Sequence, residues 1–295
     1  VSLVKFIAVS IIPFSIFIAV FSRIFGKINK ILGENYRKSN YKLGQLKTSS
    51  QLSALTKGEL RLYFSIRIYV MNTIVGMLIV LGVAVLSLFK GSEFITSILV
   101  VPEISTMLEA EKLSALIACG TLIITIFGIG LTCTTMSSIS LEGTNLWIKK
   151  TLPVSEKEIF KAKIISNLIL TIPAAILSNI IFYVALKFHV IYLMLNIIIA
   201  IVFSVLNAVL GLLINVYFPK LDWSNPTVVV KQSAAVFIGL VVTFASIALP
   251  IAAFLLLKVE NILMFLSFLA IIFLAVVFIA WNILITKGVK QFKML

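Results

Sequence analysis

The sequence predicts an all-α membrane protein with seven transmembrane helices, an amphipathic helix at the membrane surface and one long polar loop between spans. Two features of its composition lead to this prediction. Of the 295 residues, 61% are hydrophobic and only 12% are charged, and the mean hydropathy is +1.16. A soluble domain does not bury so much apolar surface, so lipid must solvate most of the chain.

Seven apolar segments are long enough to cross about 30 Å of hydrocarbon as helices. We place them at 3–22, 69–89, 113–136, 164–186, 190–217, 234–257 and 262–285. The apolar run 164–217 is too long for one crossing, and the polar turn Lys187-Phe188-His189 divides it in two. Pro173 and Pro250 fall inside spans, where a proline predicts a kink.

The basic residues indicate the orientation of these spans. Of 25 Lys and Arg residues, ten lie in 23–67, five in 137–163, two in 218–233 and three in 286–295. These four segments share one side of a seven-span protein, and the positive-inside rule places them in the cytosol with the C-terminus. The net charge of +14 is thus a topology signal that also suits anionic lipid headgroups, and we expect no nucleic acid partner.

The first span is set apart from the other six. We expect a leading transmembrane helix at 1–22, a basic cytosolic linker at 23–50 and a six-helix domain at 51–295. That domain opens with 52–67, whose apolar residues recur at roughly helical spacing among charged ones. They are Leu52, Leu55, Leu62 and Phe64. We interpret 52–67 as a helix in the inner membrane interface; a solvated linker helix is the alternative.

The loop 137–163 is too polar to cross a bilayer and too patterned to be a plain connector. Its apolar residues Trp147, Ile148 and Leu152 can form a patch, and Pro153 then breaks the chain. Ser155 followed by Glu158 is the pattern of a capping box at a helix start. A short helix, a break and a new helix would present a docking surface to a soluble partner.

Two spans carry polar stripes without any charge. On 190–217, Asn196, Ser204, Asn207 and Asn215 fall within about a 100° sector of a helix. The span 164–186 carries a shorter stripe, together with Asn179. Such residues either pack helices together or line a translocation path. The missing charges argue against a proton- or sodium-coupled carrier.

No catalytic or metal-binding pattern is present in the sequence. There is no phosphate-cradling glycine loop and no hydrolase motif. Cys119 and Cys133 are too far apart along one helix for a disulfide, and His189, the single histidine, has no neighbouring ligands for a metal. We therefore expect no enzyme activity and no cofactor or metal in this chain.

Three stretches together resemble type-2 ABC exporter permeases. The loop from Glu142 to Ile159, with Lys163 after it, is similar to the first cytosolic loop of these permeases. Leu55 to Phe64 is similar to their amphipathic connecting helix. Phe218-Pro-Lys-Leu-Asp-Trp223, followed by Lys231-Gln-Ser233, resembles the second cytosolic loop of an ABC exporter group from Gram-positive bacteria.

The resemblance covers about 45–295 and implies a six-helix permease in a bacterial plasma membrane, with a separate ATPase subunit docked on its cytosolic loops. It also implies that the chain is the C-terminal half of a longer permease, with a second half or a homodimer partner. The expected partner contacts of this coupling loop are Glu142, Trp147, Lys149, Lys150, Leu152, Pro153 and Glu158. Gly58 and Thr56 depart from the more basic residues expected in the connecting helix, and the glycine costs about 1 kcal/mol of helix stability.

Two other classes of function fit the same residues. A non-transporting scaffold, immunity protein or sensor would keep the loop as a partner site and need no moving path. A secondary carrier would work without an ATPase, but the spans lack the charges that such carriers use.

Overall fold

The computed structural model describes residues 49–99 and 110–295, together with the single residues Ile11, Ser15, Ile18, Ala19 and Ser22. The chain divides into two units, Val1–Thr48 and Ser49–Leu295. The predicted leading span 3–22 and the linker up to residue 48 lie outside the described ranges.

The second unit is all-helical over its described residues. Its helices are α1 (Gln51–Ser65), α2 (Arg67–Leu99), α3 (Ala110–Leu131), α4 (Leu146–Thr151), α5 (Glu156–Leu186), α6 (Val190–Tyr217), α7 (Pro226–Gln232), α8 (Ala234–Leu256), α9 (Ile262–Ile283) and α10 (Val289–Met294). A 3₁₀ segment, Ser140–Asn145, precedes α4, and a π-helical turn, Leu284–Gly288, joins α9 to α10.

Six helical segments have the length and composition of membrane spans. They are Arg67–Gly91, Glu111–Leu131, Glu156–Leu186, Val190–Tyr217, Pro226–Leu256 and Ile262–Met294. Helices satisfy their own backbone hydrogen bonds, which is what hydrocarbon demands of a spanning segment. The chain is a multi-pass membrane protein, and a candidate membrane helix lies at each of the last six predicted spans.

Several helices begin or end at the residues that capping and turn patterns in the sequence predicted. The Ser155 side chain accepts a hydrogen bond from the Glu158 backbone N–H at 3.3 Å, so Ser155 caps α5 as predicted, while the Glu158 side chain pairs with Lys161 rather than completing the capping box. Lys187 takes a left-handed conformation with φ of 50° and ends α5, and the His189 side chain caps α6. Pro173 and Pro250 lie inside α5 and α8, which continue on both sides of them.

The span predicted at 113–136 is wrong at its C-terminal end. Helix α3 ends at Leu131, and Thr132–Ile139 form a non-helical, buried turn. The Thr132 hydroxyl donates to the Gly128 carbonyl at 2.9 Å. Four further Ser and Thr residues follow within six positions, and their hydroxyls offer the backbone alternatives to the helical bond. Apolar content alone did not reveal this break.

Helix α6 occupies the centre of the unit and packs against α3, α5, α8 and α9, while α2 packs on α3 and α5. Glycines allow the closest approaches. A Cβ at Gly76 would lie 2.3 Å from the Gly128 carbonyl oxygen, and one at Gly130 would lie 2.3 Å from Thr243. Gly128 and Gly130 are thus packing positions.

Candidate functional site

One end of the helical unit gathers the segments that the charge pattern assigned to one side of the membrane. Three hydrogen bonds link them: Trp223 Nε1 to the Ser140 carbonyl at 2.7 Å, Lys163 Nζ to Glu59 Oε1 at 3.0 Å, and Lys150 Nζ to the Lys293 carbonyl at 3.3 Å. The segments therefore share one face of the protein. That this face is cytosolic stays a prediction.

A charge cluster of Glu59, Glu142, Lys149 and Lys163 lies at this end. The Lys163 side chain has 0% exposure, and its Nζ lies 3.0 Å from both carboxylate oxygens of Glu59 and 2.8 Å from Glu142 Oε1. It also donates to the Ser138 carbonyl at 3.0 Å. Lys149 pairs with both carboxylates. Two cations and two anions thus compensate one another in a nearly dry site.

The neighbouring lysines favour the ionised form of Glu142. Burial alone raises the pKa of the Glu142 carboxyl, but the charges of Lys163 and Lys149, with their hydrogen bonds, outweigh it and leave the pKa below its ordinary value. The cluster joins α1, the 3₁₀ segment, α4 and α5. It therefore ties a water-side loop to a membrane helix.

The buried turn Thr132–Ile139 is held by two asparagines. Asn215 Oδ1 accepts from the backbone N–H groups of Ile139 at 2.8 Å and Ser140 at 3.2 Å. Asn167 Oδ1 accepts from the backbone N–H and the hydroxyl of Thr134, both at 2.8 Å. These bonds satisfy backbone groups that have left the helix, which is the condition for irregular backbone inside a membrane protein.

The remaining stripe residues also lie inside the bundle. Asn196 donates to the Ala118 carbonyl at 2.9 Å, Asn207 to the Ile129 carbonyl at 3.2 Å, Asn179 to the Thr125 hydroxyl at 3.4 Å, and Ser204 to the Ala200 carbonyl of its own helix at 2.8 Å. All are buried. Asparagines of two helices thus converge on α3, which is the arrangement that helix packing requires.

The predicted partner-contact residues fall into two groups. Trp147, Ile148 and Leu152 form an exposed apolar ridge, with Trp147 62% exposed, and Pro153 and Lys150 are exposed beside it. The others already have partners within the protein. Glu142 and Lys149 belong to the buried charge cluster, and Glu158 pairs with Lys161 at the surface at 2.8 Å.

The sequence interpretation missed Glu59 and Lys163 as members of a site. Helix α1 exists as predicted, but its buried residues are Thr56, Glu59 and Tyr63 rather than its leucines. Lys163 follows the buried Ile159 by one helical turn. The sequence feature that could have identified Glu59 and Lys163 is a charged residue on the same helix face as buried residues.

Comparisons of the chain with protein-family models, with curated proteins and with solved structures find no match. The resemblance to type-2 ABC exporter permeases therefore stays a prediction. The geometry describes an all-helical, multi-pass membrane protein in which an exposed apolar ridge is anchored on a buried charge cluster.

Proposed function

We propose that this chain is the transmembrane subunit of an ATP-driven exporter of the type-2 ABC class, driven by a separate ATPase subunit. The observation that carries the proposal is the apolar ridge of α4, which is exposed although its helix is firmly anchored. Leu146, one residue before the ridge, is buried against the same core as Ile159 and Phe160 of α5. Lys149, two residues after Trp147, lies in the charge cluster.

Because α4 is anchored in this way, it can transmit a movement of the partner to the helices it contacts. Its inward residues are fixed to α5 by packing and to α1 by the Lys149–Glu59 ion pair. A partner that pushes on the ridge would therefore move α1, α4 and α5 together. Packed cores respond to such a push by switching between discrete arrangements rather than by continuous deformation.

The ridge also indicates the chemistry of the partner surface. Trp147 and Leu152 need an apolar slot, and large aromatic side chains in such slots commonly dominate binding energy. Lys150 and Lys157 are exposed nearby and would meet acidic groups at the rim. We expect this surface on the ATPase subunit.

The test is to co-express the full-length membrane protein with ABC-type ATPase subunits encoded beside its gene, purify the complex in nanodiscs and measure ATP hydrolysis. Trp147→Ala with Leu152→Ala should abolish the coupling between the subunits while leaving membrane insertion intact. Leu256→Ala is the matched control. Leu256 is also apolar and 82% exposed, but it is the last residue of α8 and lies at the end of the unit away from the ridge. Unchanged ATPase association and transport in the double variant would contradict the proposal.

A non-transporting scaffold or sensor is the second candidate. The observation that favours it is that Asn179, Asn196, Ser204, Asn207 and Asn215 are all buried and each donates a hydrogen bond within one subunit, although Oδ1 of Asn179 and of Asn196 has no hydrogen-bond partner among the described residues. Such a protein would bind a partner through the ridge without any transport. The two candidates separate in the same preparation, since a scaffold would retain its ridge-dependent partner but show no coupled ATP hydrolysis.

A further inference from the structure

We infer that the cleft between α8 and α9 binds one acyl chain of a membrane phospholipid, in the leaflet at the end of the unit opposite the charge cluster. The cleft has a volume of about 350 Å³. Its walls come from Ser246 to Ala253 of α8 and from Phe265 to Val276 of α9, and Leu206 of α6 forms its floor. The inference rests on the membrane character of the protein and not on the proposed ATPase partner.

The shape of the cleft arises from how its helices pack. Both α8 and α9 pack against α6, which leaves a gap between them. The rings of Phe254 and Phe265, with centroids 5.3 Å apart, contact each other near the turn that joins the two helices. The Phe273 ring packs on Phe203 of α6, with centroids 5.5 Å apart. The cleft is thus a groove between α8 and α9 whose floor is closed by α6.

The dimensions of the groove select its occupant. From Phe265 to Val276 it follows α9 for about 16 Å at 1.5 Å per residue, which is half of the roughly 30 Å hydrocarbon thickness and thus the depth of one leaflet. The α8 wall from Ser246 to Ala253 is only about 10 Å long at the same rise, so the volume of about 350 Å³ gives a cross-section of roughly 20–35 Å². An α-helix about 10 Å across needs roughly 80 Å². The groove is therefore too narrow for a helix but wide enough for a single hydrocarbon chain.

The chemistry of the lining agrees with a hydrocarbon occupant. No lining residue is charged, and Ser246, the one residue with a polar side chain, already donates its hydroxyl to the Val242 carbonyl at 2.8 Å. The lip of the groove is continuous with the exposed apolar surface, since Leu249 is 69% exposed and Phe268 and Ile272 are also exposed. A chain can therefore enter sideways from the bilayer.

The expected preference is modest. Lipid tails are as apolar as the helix surface, so a bound chain gains packing contacts rather than a hydrophobic transfer energy, and we expect about three- to tenfold enrichment over flat apolar faces.

The experiment uses the full chain in bilayers of dioleoylphosphatidylcholine that contain a small fraction of phosphatidylcholine with a photoactivatable diazirine on one acyl chain. Mass spectrometry maps the adducts after illumination. We expect adducts concentrated on the groove-lining residues of α8 and α9, relative to the exposed apolar face of α2 around Leu78. Ala253→Phe should fill the groove and reduce its labelling to the level of α2. Ala252→Phe is the matched control, because Ala252 is exposed and does not line the groove.

Equal labelling of α2 and of the groove in the wild-type protein would overturn the inference. So would a groove that is left unlabelled while α2 is labelled, because that pattern means that a second copy or another part of the chain covers it. An equal effect of Ala253→Phe and Ala252→Phe would also contradict it. If the Ala253→Phe variant does not fold, the distribution of adducts on the wild-type protein tests the inference by itself.

Discussion

Lys163 Nζ lies 2.8 Å from Glu142 Oε1, although the two residues are 21 positions apart in the chain. Lys163 belongs to the membrane helix α5 and Glu142 to the 3₁₀ segment before α4. The contact therefore fixes the base of the polar loop to a spanning helix. Because the pair is almost completely buried, its loss should affect the protein far more than the loss of a surface ion pair.

Lys163→Met should lower the free energy of unfolding by about 3–5 kcal/mol, since it leaves two buried carboxylates with one partner cation. Thermal unfolding of the purified protein in detergent checks this. Lys161→Met is the control: Lys161 pairs with Glu158 on the surface, where a pair contributes about 0–1 kcal/mol. Adding Glu59→Gln to Lys163→Met should recover part of the loss. Equal effects of the two lysine variants would show that the cluster does not stabilise the fold.

The depressed pKa of Glu142 predicts a loss of stability in acid. A carboxyl whose pKa is lower in the folded state stabilises it fully above its unfolded pKa, about 4.3, and loses this contribution as pH falls through the folded value. Below pH ~4.3 the stability of the Glu142→Gln variant should fall less steeply than that of the wild type, because this contribution is absent. Glu158 is more exposed, so the Glu158→Gln variant should keep the wild-type fall in stability. Stability measured as a function of pH tests the difference, and parallel profiles of the wild type and Glu142→Gln would refute it.

Two glycines should respond oppositely to the same substitution. A Cβ at Gly58 in α1 meets nothing within 4 Å, so Gly58→Ala should stabilise the protein by up to about 1 kcal/mol through helix propensity. At Gly76 the new Cβ would lie 2.3 Å from the Gly128 carbonyl oxygen, so Gly76→Ala should force α2 and α3 apart. Melting temperatures that move in the same direction would contradict the packing of α2 on α3.

Asn207→Leu should destabilise the protein, because Asn207 joins α6 to the Ile129 carbonyl of α3 and to the Thr243 hydroxyl of α8. Interhelical hydrogen bonds in membranes contribute about 0.6–1.7 kcal/mol. Asn282→Leu is the control, since the Asn282 side chain donates to the Phe278 carbonyl of its own helix and, within the described residues, joins no second helix. If the polar stripe of α6 only packs helices together, the Asn207→Leu variant should export the same substrates as the wild type. An altered range with unchanged melting would instead assign Asn207 to a path.

Cysteine labelling tests the orientation. With Cys119 and Cys133 replaced, Lys150→Cys and Lys290→Cys should resist a membrane-impermeant thiol reagent applied to intact cells, because the positive-inside rule places both in the cytosol. Lys258→Cys, in the turn between α8 and α9, should react. Labelling of position 150 from outside would invert the predicted topology.

The sequence by itself determined the features that depend on local composition. Long apolar helices lie at six of the predicted spans, because a run of about 20 apolar residues has few alternatives to a membrane helix. The α5 start at Ser155 and the break at Lys187 were predicted because caps and turns involve residues within a few positions of each other.

Only the tertiary structure decided which polar residues lie inside and what they bond. Glu59 and Lys163 are 104 positions apart, and nothing near either residue identifies its partner. The same holds for Asn215, whose bonds to Ile139 and Ser140 hold the turn that ends α3 early. A buried polar group is stable only when a partner compensates its lost hydration. That partner comes from a distant part of the chain, so hydropathy alone did not identify Glu59 as buried and extended α3 too far.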